Sequence, residues 1–243
     1  MPLFVTNPGF EADVVPGPTN INSGVPAGWS AHFDGPLAGA FFGSLYAAPD
    51  NYPAGAPEGN NVGVNFIAAG QASGVGFGLT QVLGAVIEPD TRYTLTVEVG
   101  NIDSGFNDLN NTPANPDDDP FFDIRGYNGY RIELRANDGG AGTLLVEDDN
   151  SSSIADGTFE TRRIFFDSDS IDPALIGQQL EVRLVNLNLV DPLFSTSDRE
   201  TNFDDVRVTA TPVPAHQVPV PAWALVSLMV LVLIRARRSV RAG

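Results

Sequence analysis

The stretch TRYTLTVEVG, residues 91–100, decides the fold class. Its apolar side chains Tyr93, Leu95, Val97 and Val99 fall on one face of an extended chain, while Arg92, Thr94, Thr96 and Glu98 fall on the other. A period of two with a polar outer face marks an antiparallel strand that buries one side and wets the other. The pattern recurs at residues 130–136 (YRIELRA), 158–166 (TFETRRIFF, less regularly), 180–185 (LEVRLV) and 203–209 (FDDVRVT). Clusters of Gly, Pro, Asn and Asp separate these runs and supply the turns. No long helical period interrupts residues 5–210. Many short strands in a body of this size predict one all-β domain, an antiparallel β-sandwich of the jelly-roll kind, with a single substantial core.

Composition narrows the chemistry. The chain has no cysteine, which excludes disulfide bracing and a thiol nucleophile. All 13 basic residues are arginines, and four of them (Arg235, Arg237, Arg238 and Arg241) stand at the extreme C-terminus. The remaining nine face 30 acids, so the body carries a net charge of −21. Such a surface repels nucleic acid and anionic lipid and suits a divalent cation such as calcium. The two histidines are His32 and His216. Since His216 stands in a Pro-rich stretch, a zinc site or a Ser-His-Asp triad would rest on His32 alone. The segment GVGFG, residues 74–78, has no helix signal after it and is no phosphate loop. Any catalysis therefore falls to carboxylates. The acidic stretch at residues 101–123 is long for a connection, yet its DDD run lacks the alternate spacing of an EF-hand loop.

The C-terminus has a different character. Residues 211–221 (TPVPAHQVPVP) form a Pro-rich, extended linker. Residues 222–234 are apolar except for Ser227, and the arginines follow. Counted from Val218, the run is 17 residues, the lower limit of the roughly 20 that span a bilayer. Its single polar side chain argues against a core helix, and the arginines place the body outside and the tail inside. The expected organisation is a jelly-roll body at 1–210, a linker at 211–221 and a hydrophobic membrane or sorting helix at 222–243. The lead-in Val218, Pro219 and Pro221, with Arg235, Arg237 and Arg238 beyond the helix, resembles the PEP-CTERM group of bacterial sorting tails. Val220 stands where the commonest pattern has Glu. That resemblance implies export, a temporary hold in the inner membrane, cutting by an exosortase-type enzyme, and a final place at the cell surface or outside it. The N-terminus, MPLFVTNPGFE, shows no basic and apolar signal segment, so export predicts a start upstream of Met1.

Two short motifs stand at opposite ends of the body. NPGFE (residues 7–11), followed by Trp29, pairs with TNFDDV (residues 201–206). Together they resemble the galactose-binding-like jelly rolls of carbohydrate-binding-module families 4, 9 and 22. The resemblance implies that first and last strands lie side by side and share a structural calcium ion. Glu11 and Asp204 would then be side-chain ligands, with the Gly9 carbonyl nearby and Asp50 as a fourth candidate. Calcium accepts such a mixture of carboxylate and carbonyl oxygens.

The middle of the chain sharpens the likeness. APEGNNVGV (56–64), residues 81–101, GYRIEL (129–134), DGTFET (156–161), DPALIGQQLEVRL (172–184) and TNFDDVRV resemble the Stig cyclases. These are calcium-containing jelly rolls that cyclise indole-terpenoid alkaloids. The resemblance implies an aspartate acid aided by a tyrosine in an aromatic-lined pocket. The candidates are Asp204 or Asp205 with Tyr93, and Trp29, Phe66 and Phe106 as lining. For a ligand-binding groove, Trp29, Tyr46, Tyr52 and Tyr127 lie in turn-like stretches and offer stacking surfaces. A calcium ligand that stays ionised cannot also be a resting acid, which favours Asp205. Asn202, on the same strand face, cannot donate the proton. Because a sorting tail sits oddly on a soluble enzyme of secondary metabolism, the sequence favours a non-catalytic, exported surface or matrix protein. Its partner would be an extracellular glycan or matrix component, and a cyclase-like enzyme is the alternative.

Overall fold

The computed structural model describes residues 1–15, 21–106 and 121–213. Most of the predicted linker, the whole predicted hydrophobic helix and the centre of the acidic stretch lie outside the described residues. Among those described, no helix is long and apolar enough to cross a membrane.

The strands are β1 (Pro2–Leu3), β2 (Ile21–Ser23), β3 (Ser30–Phe33), β4 (Ala40–Tyr46), β5 (Asn61–Ile67), β6 (Phe77–Val86) and β7 (Thr91–Asn101). There follow β8 (Gly105–Phe106), β9 (Phe121–Phe122), β10 (Tyr130–Asn137), β11 (Thr143–Asp149), β12 (Thr158–Asp167), β13 (Gln179–Asn186) and β14 (Arg199–Pro212). The larger sheet runs β12-β7-β14-β5-β4-β2, with β1 also paired to β14. The smaller sheet runs β11-β10-β13-β6-β3, and β8 pairs with β9 alone. Every pairing is antiparallel. The chain crosses repeatedly from one sheet to the other, from β5 to β6, β6 to β7, β12 to β13 and β13 to β14. The all-β antiparallel sandwich expected from the alternation is thus the observed architecture.

The apolar faces of the two sheets meet in the main core. Tyr93, Leu95, Val97 and Val99 of β7 pack there with Ile132 and Leu134 of β10 and Leu180, Val182 and Leu184 of β13. Strand β14 runs past the predicted end of its segment because Thr211 and Pro212 still pair with Arg92 and Thr91. It also breaks its own alternation. Phe203, Val206 and Val208 all enter the core, and the register shifts between Asp204 and Arg207, where Asp205 has a φ of 48°. Two consecutive aspartates are accommodated by a β-bulge, and the left-handed residue is the one that absorbs the extra length. The glycine-rich segment near residue 78 has a packing reason too. A Cβ on Gly78 would stand 1.9 Å from the Leu184 carbonyl oxygen, so only glycine lets β6 lie this close to β13.

Strand β5 carries no clear alternation, since all but one of its residues are buried. Its inner face serves the main core. Its outer face serves a second apolar cluster, made by Leu45, Val62 and Val64 with loop residues Ala47, Tyr52, Ile102 and Ile124. The larger sheet is therefore covered on both sides, and its outer cover is where the unusual side chains are found.

Candidate functional site

The first and last strands meet at one corner of the sandwich. β1 pairs with β14, and Val206 N donates to Pro8 O at 3.0 Å. Asn7 and Phe10 take φ values of 50° and 58°, turning the chain so that Phe10 enters the core. There it stacks on Trp29 at 5.6 Å, and Trp29 Nε1 donates to Asn7 O at 3.1 Å. The same turn lays Gly9 against two carboxylates. A Cβ at Gly9 would lie 1.8 Å from Glu58 Oε2 and 3.4 Å from Asp204 Oδ1. Asp204 is fully buried and accepts from Glu58 N at 2.8 Å and Asp205 N at 2.7 Å. Burial outweighs these two bonds, and with the Glu58 and Asp205 carboxylates nearby it pushes Asp204 up to about 8. Glu11 Oε1 accepts from the amides of Asn60 and Asn61, both at 2.6 Å.

Gly9, Glu11 and Asp204 are thus gathered around the 58–61 segment. Glu58 joins them unforeseen, because its turn showed no pattern of its own. Asp50 is exposed in the turn ahead of Tyr52, and no hydrogen bond or ion pair among the described residues links it to this corner. Among the described residues no three His, Cys, Asp or Glu side chains converge as a metal cluster. A cation here would need backbone carbonyls beside Asp204 and Glu58. The chemistry of the oxygens suits a hard cation, since a buried carboxyl driven upward by neighbouring carboxylates is what a divalent ion relieves.

The other expected residues are dispersed. Asp205 pairs with Arg207 on the bulge. Tyr93 is buried in the core, stacked on Phe166 at 5.2 Å; its hydroxyl accepts from Glu88 N at 2.7 Å and donates to Val86 O at 3.2 Å. In the register, Asp204 faces Glu98 and Tyr93 faces Ala210, which separates the two positions by about 16 Å at the usual strand rise. The structure therefore does not bring Asp205 and Tyr93 together. Trp29 is core. Phe66 meets Phe41 edge-on at 6.2 Å on the outer face of the larger sheet. Tyr127 donates to Ser152 O at 2.9 Å, and burial raises its hydroxyl. Phe106 belongs to β8, but its side chain lies outside the described residues. His32 bonds Asp34 at 3.0 Å in the ion-pair ladder of the smaller sheet, away from any nucleophile.

The most perturbed acid outside the corner sits where the sequence reading did not look. Glu200, Asn202 and Asp204 occupy the face of β14 opposite Phe203; Glu200 and Asn202 pair in register with Phe66 and Val64 of the outer cluster, and Asp204 lies at the corner. Glu200 is 6 % exposed and has no cationic partner among the described residues. Desolvation raises its carboxyl to about 7 in spite of a hydrogen bond from Asn202 Nδ2 to Oε1 at 2.9 Å, and Asp198 adds to the rise. Tyr52 OH donates to Asn202 Oδ1 at 2.5 Å. The Tyr52 ring lies 4.4 Å from that of Phe159, and both lean over Gly100 of β7, where a Cβ would lie 2.4 Å from Phe159 and 2.8 Å from the Tyr52 oxygen. Phe41, Phe66, Phe122 and Phe159 pack against the same cluster. The arrangement is an acid half-protonated near neutral pH, beside a group of aromatic rings. It can lend a proton to an apolar ligand and offer ring faces to the cation that results. The signal for Glu200 was its two-residue spacing from Asn202 and Asp204. What it lacked was any sign that this face would be roofed.

The family model and the solved structures of 28–31 % identity both name cyclases. The family model described as HpiC1-like, HpiC1 cyclase, matches residues 1–209. An apo cyclase structure from Fischerella sp. is similar at a TM-score of 0.68 and 28 % identity, over 88 % of this chain and 98 % of that one. The Stig cyclase Fisc from Fischerella sp. TAU, bound to (3Z)-3-(1-methyl-2-pyrrolidinylidene)-3H-indole, is similar at 0.66 and 31 % identity, over 88 % and 98 % of the two chains. A cyclase from the same source, bound to 4-(1H-indol-3-yl)butan-2-one, gives 0.66 and 31 % over 88 % and 100 %. A search of curated proteins returned no match.

The shifted acid makes a prediction about stability. Glu200 keeps its proton in the folded chain up to about 7, whereas the ordinary value is 4.5. Between those limits the folded state binds more protons than the unfolded state. The unfolding free energy therefore falls as pH rises through that window, by on the order of 3 kcal/mol, and then levels off. Urea unfolding at about pH 5 and about pH 8 should show this fall in the native chain and a smaller one in Glu200→Gln. Equal falls in the two proteins would remove the shift from Glu200.

Proposed function

The chain belongs to the HpiC1-like cyclase family, and from that premise we propose that it cyclises an apolar, indole-bearing substrate against the outer face of the larger sheet, with Glu200 as the acid. The expectation of a non-catalytic, glycan-binding surface protein is overturned by the family match over residues 1–209 and by cyclase structures at 28–31 % identity. The tail had favoured that reading, but it does not bear on what the sandwich encloses.

The observation that carries the proposal is the carboxyl of Glu200, buried on the strand face it shares with Phe66, bonded through Asn202 to Tyr52, with its proton held to about 7. A group titrating near the working pH is best matched to donate a proton and take one back. Glu200 gives its proton to an unsaturated carbon of the substrate, and an electron pair of a carbon–carbon double bond forms the new C–H bond. The carbocation closes a ring by drawing on a second double bond, and loss of a proton from a neighbouring carbon restores neutrality. The product is an isomer of the substrate, with nothing oxidised or reduced. Phe41, Phe66, Phe122 and Phe159 exclude water and present ring faces toward the positive charge. The indole ligands of the similar cyclases support this substrate class. Glu200→Gln keeps the shape of the side chain and removes the acidic proton. Conversion of an indole-terpenoid substrate to a ring-closed isomer, followed by chromatography and mass, should drop by about 10²–10⁴-fold in kcat. Asp205→Asn should stay within a few-fold of the native rate. Undiminished turnover in Glu200→Gln, or loss in Asp205→Asn alone, would return the acid to the bulge.

We further propose calcium at the strand corner, held by Asp204 and Glu58 with the Gly9 carbonyl and Glu11 alongside. Bound there, it would supply the positive charge the buried carboxylate lacks, and would join first and last strands in a domain without disulfides. A ligand at 100 times its Kd adds about 2.7 kcal/mol to folded-state stability. Thermal unfolding should therefore shift upward in calcium relative to chelator, and Asp204→Asn should abolish the difference. Identical midpoints in the native chain would end this reading.

The tail's sequence supports a third proposal. Residues 218–234 hold the exported protein in the inner membrane, the arginines stop transfer, and an exosortase-type enzyme cuts near Val218–Pro221. Pro219 and Pro221 disfavour regular helix at the cutting point. The mass of the mature protein from its host should fall short of a form ending at Gly243. A mature form that ends at Gly243, and is unchanged when residues 218–221 are replaced by alanine, would make the tail an ordinary anchor.

A further inference from the structure

Behind the aromatic rings, three buried side chains form a hydrogen-bond chain whose direction is set by one backbone carbonyl. Asn202 Nδ2 donates to Gly63 O at 3.2 Å and to Glu200 Oε1 at 2.9 Å, and Asn202 Oδ1 accepts from Tyr52 OH at 2.5 Å. The Gly63 carbonyl belongs to β5 and can only accept. The nitrogen of the Asn202 amide must therefore face it, which turns the amide oxygen to Tyr52. An amide oxygen can only accept, so the Tyr52 hydroxyl must donate. The second amide hydrogen points at Glu200 Oε1, so that oxygen must accept. A neutral carboxyl has a single hydrogen. The carbonyl oxygen of a carboxyl is a better acceptor than its hydroxyl oxygen, so an N–H on Oε1 makes Oε1 the carbonyl oxygen and puts the hydrogen on Oε2, which has no hydrogen-bond partner among the described residues.

We propose that Tyr52 and Asn202 are positioning residues that hold the acidic proton of Glu200 on Oε2, the carboxyl oxygen left for a substrate. The use of that proton rests on the cyclase reading; its location does not. Once the proton has left, Oε1 keeps the Asn202 N–H, and the bond becomes charge-assisted and stronger. The donors of Tyr52 and Asn202 both point toward the carboxylate and polarise each other in the same sense. The chain therefore eases proton release, against the opposing effect of burial. The other charges nearby work with burial: Asp198 raises Glu200, and Asp204 and Glu200 together hold the Tyr52 hydroxyl protonated. Tyr52 has room for this role because Gly100 beneath it has no side chain.

Two measurements on the full chain without substrate test the proposal. Neutron diffraction from deuterium-exchanged crystals should place a deuteron on Glu200 Oε2 and direct the Tyr52 deuteron at Asn202. A deuteron on Oε1, or a Tyr52 deuteron directed elsewhere, overturns it. In solution, the infrared band of the protonated carboxyl, assigned by its loss in Glu200→Gln, should titrate about one pH unit higher in Asn202→Leu, and should move less but in the same direction in Tyr52→Phe. Unchanged midpoints in folded variants overturn the proposal. Should Asn202→Leu fail to fold, Tyr52→Phe still decides, since it keeps the ring that packs on Phe159. Neither readout needs turnover. An active Glu200→Gln would therefore defeat the cyclase acid and leave the proton's location standing.

Discussion

Strand β14 is buried on both faces, and most of what is unusual in this protein follows from that constraint. One face supplies Phe203, Val206 and Val208 to the sandwich core. The other carries Glu200, Asn202 and Asp204, each with little or no contact with water. Buried polar groups without partners are costly, so each of these side chains fixes a neighbour. Asn202 holds Tyr52 and the Gly63 carbonyl, Glu200 takes the remaining Asn202 hydrogen, and Asp204 takes two backbone amides. The bulge between Asp204 and Arg207 reconciles these duties: it lets one strand carry three consecutive outward acids and amides and still return Val206 and Val208 to the core.

The two sheets treat charge in opposite ways. The outer face of the smaller sheet is crossed by an ion-pair ladder. Arg131 joins Asp34 and Glu133, Arg135 joins Glu133, and Arg183 joins Glu181 at 2.5 Å. Each acid there has a guanidinium beside it, so Asp34 is held below the ordinary carboxylate range even though burial opposes this. Across the sandwich, Glu200 and Asp204 have only neutral donors, and both are displaced upward. Paired charges are structural and hard to perturb, whereas unpaired buried acids are reactive. This contrast sets the unpaired buried acids of the larger sheet apart from the ion-paired face of the smaller one.

The strand corner and Glu200 are linked through the same strand but differ in kind. At the corner, Asp204 lies near the exposed carboxylates of Glu11 and Glu58. At the acid, apolar rings replace solvent and no second carboxylate makes contact. Asp204 and Asp205 were both reasonable candidates for the proton donor on sequence grounds. Asp205 is paired with Arg207, and Asp204 is tied to the corner, which leaves Glu200 as the free acid.

The sequence by itself determined the fold class and the strands with clean alternation, which depend on local periodicity that a single sequence records. The adjacency of the two chain ends came only from the resemblance to carbohydrate-binding modules. It did not determine β5, because a strand buried on both faces loses its alternation. It placed Tyr93 correctly on an inward face but not its partner, since the strand register sets Tyr93 far from the bulge. It presented Glu200 as one acid among 30. Only the tertiary structure decided that this one is buried, opposite Phe66 of β5 and bonded through Asn202 to Tyr52, because desolvation comes from segments far apart in the chain.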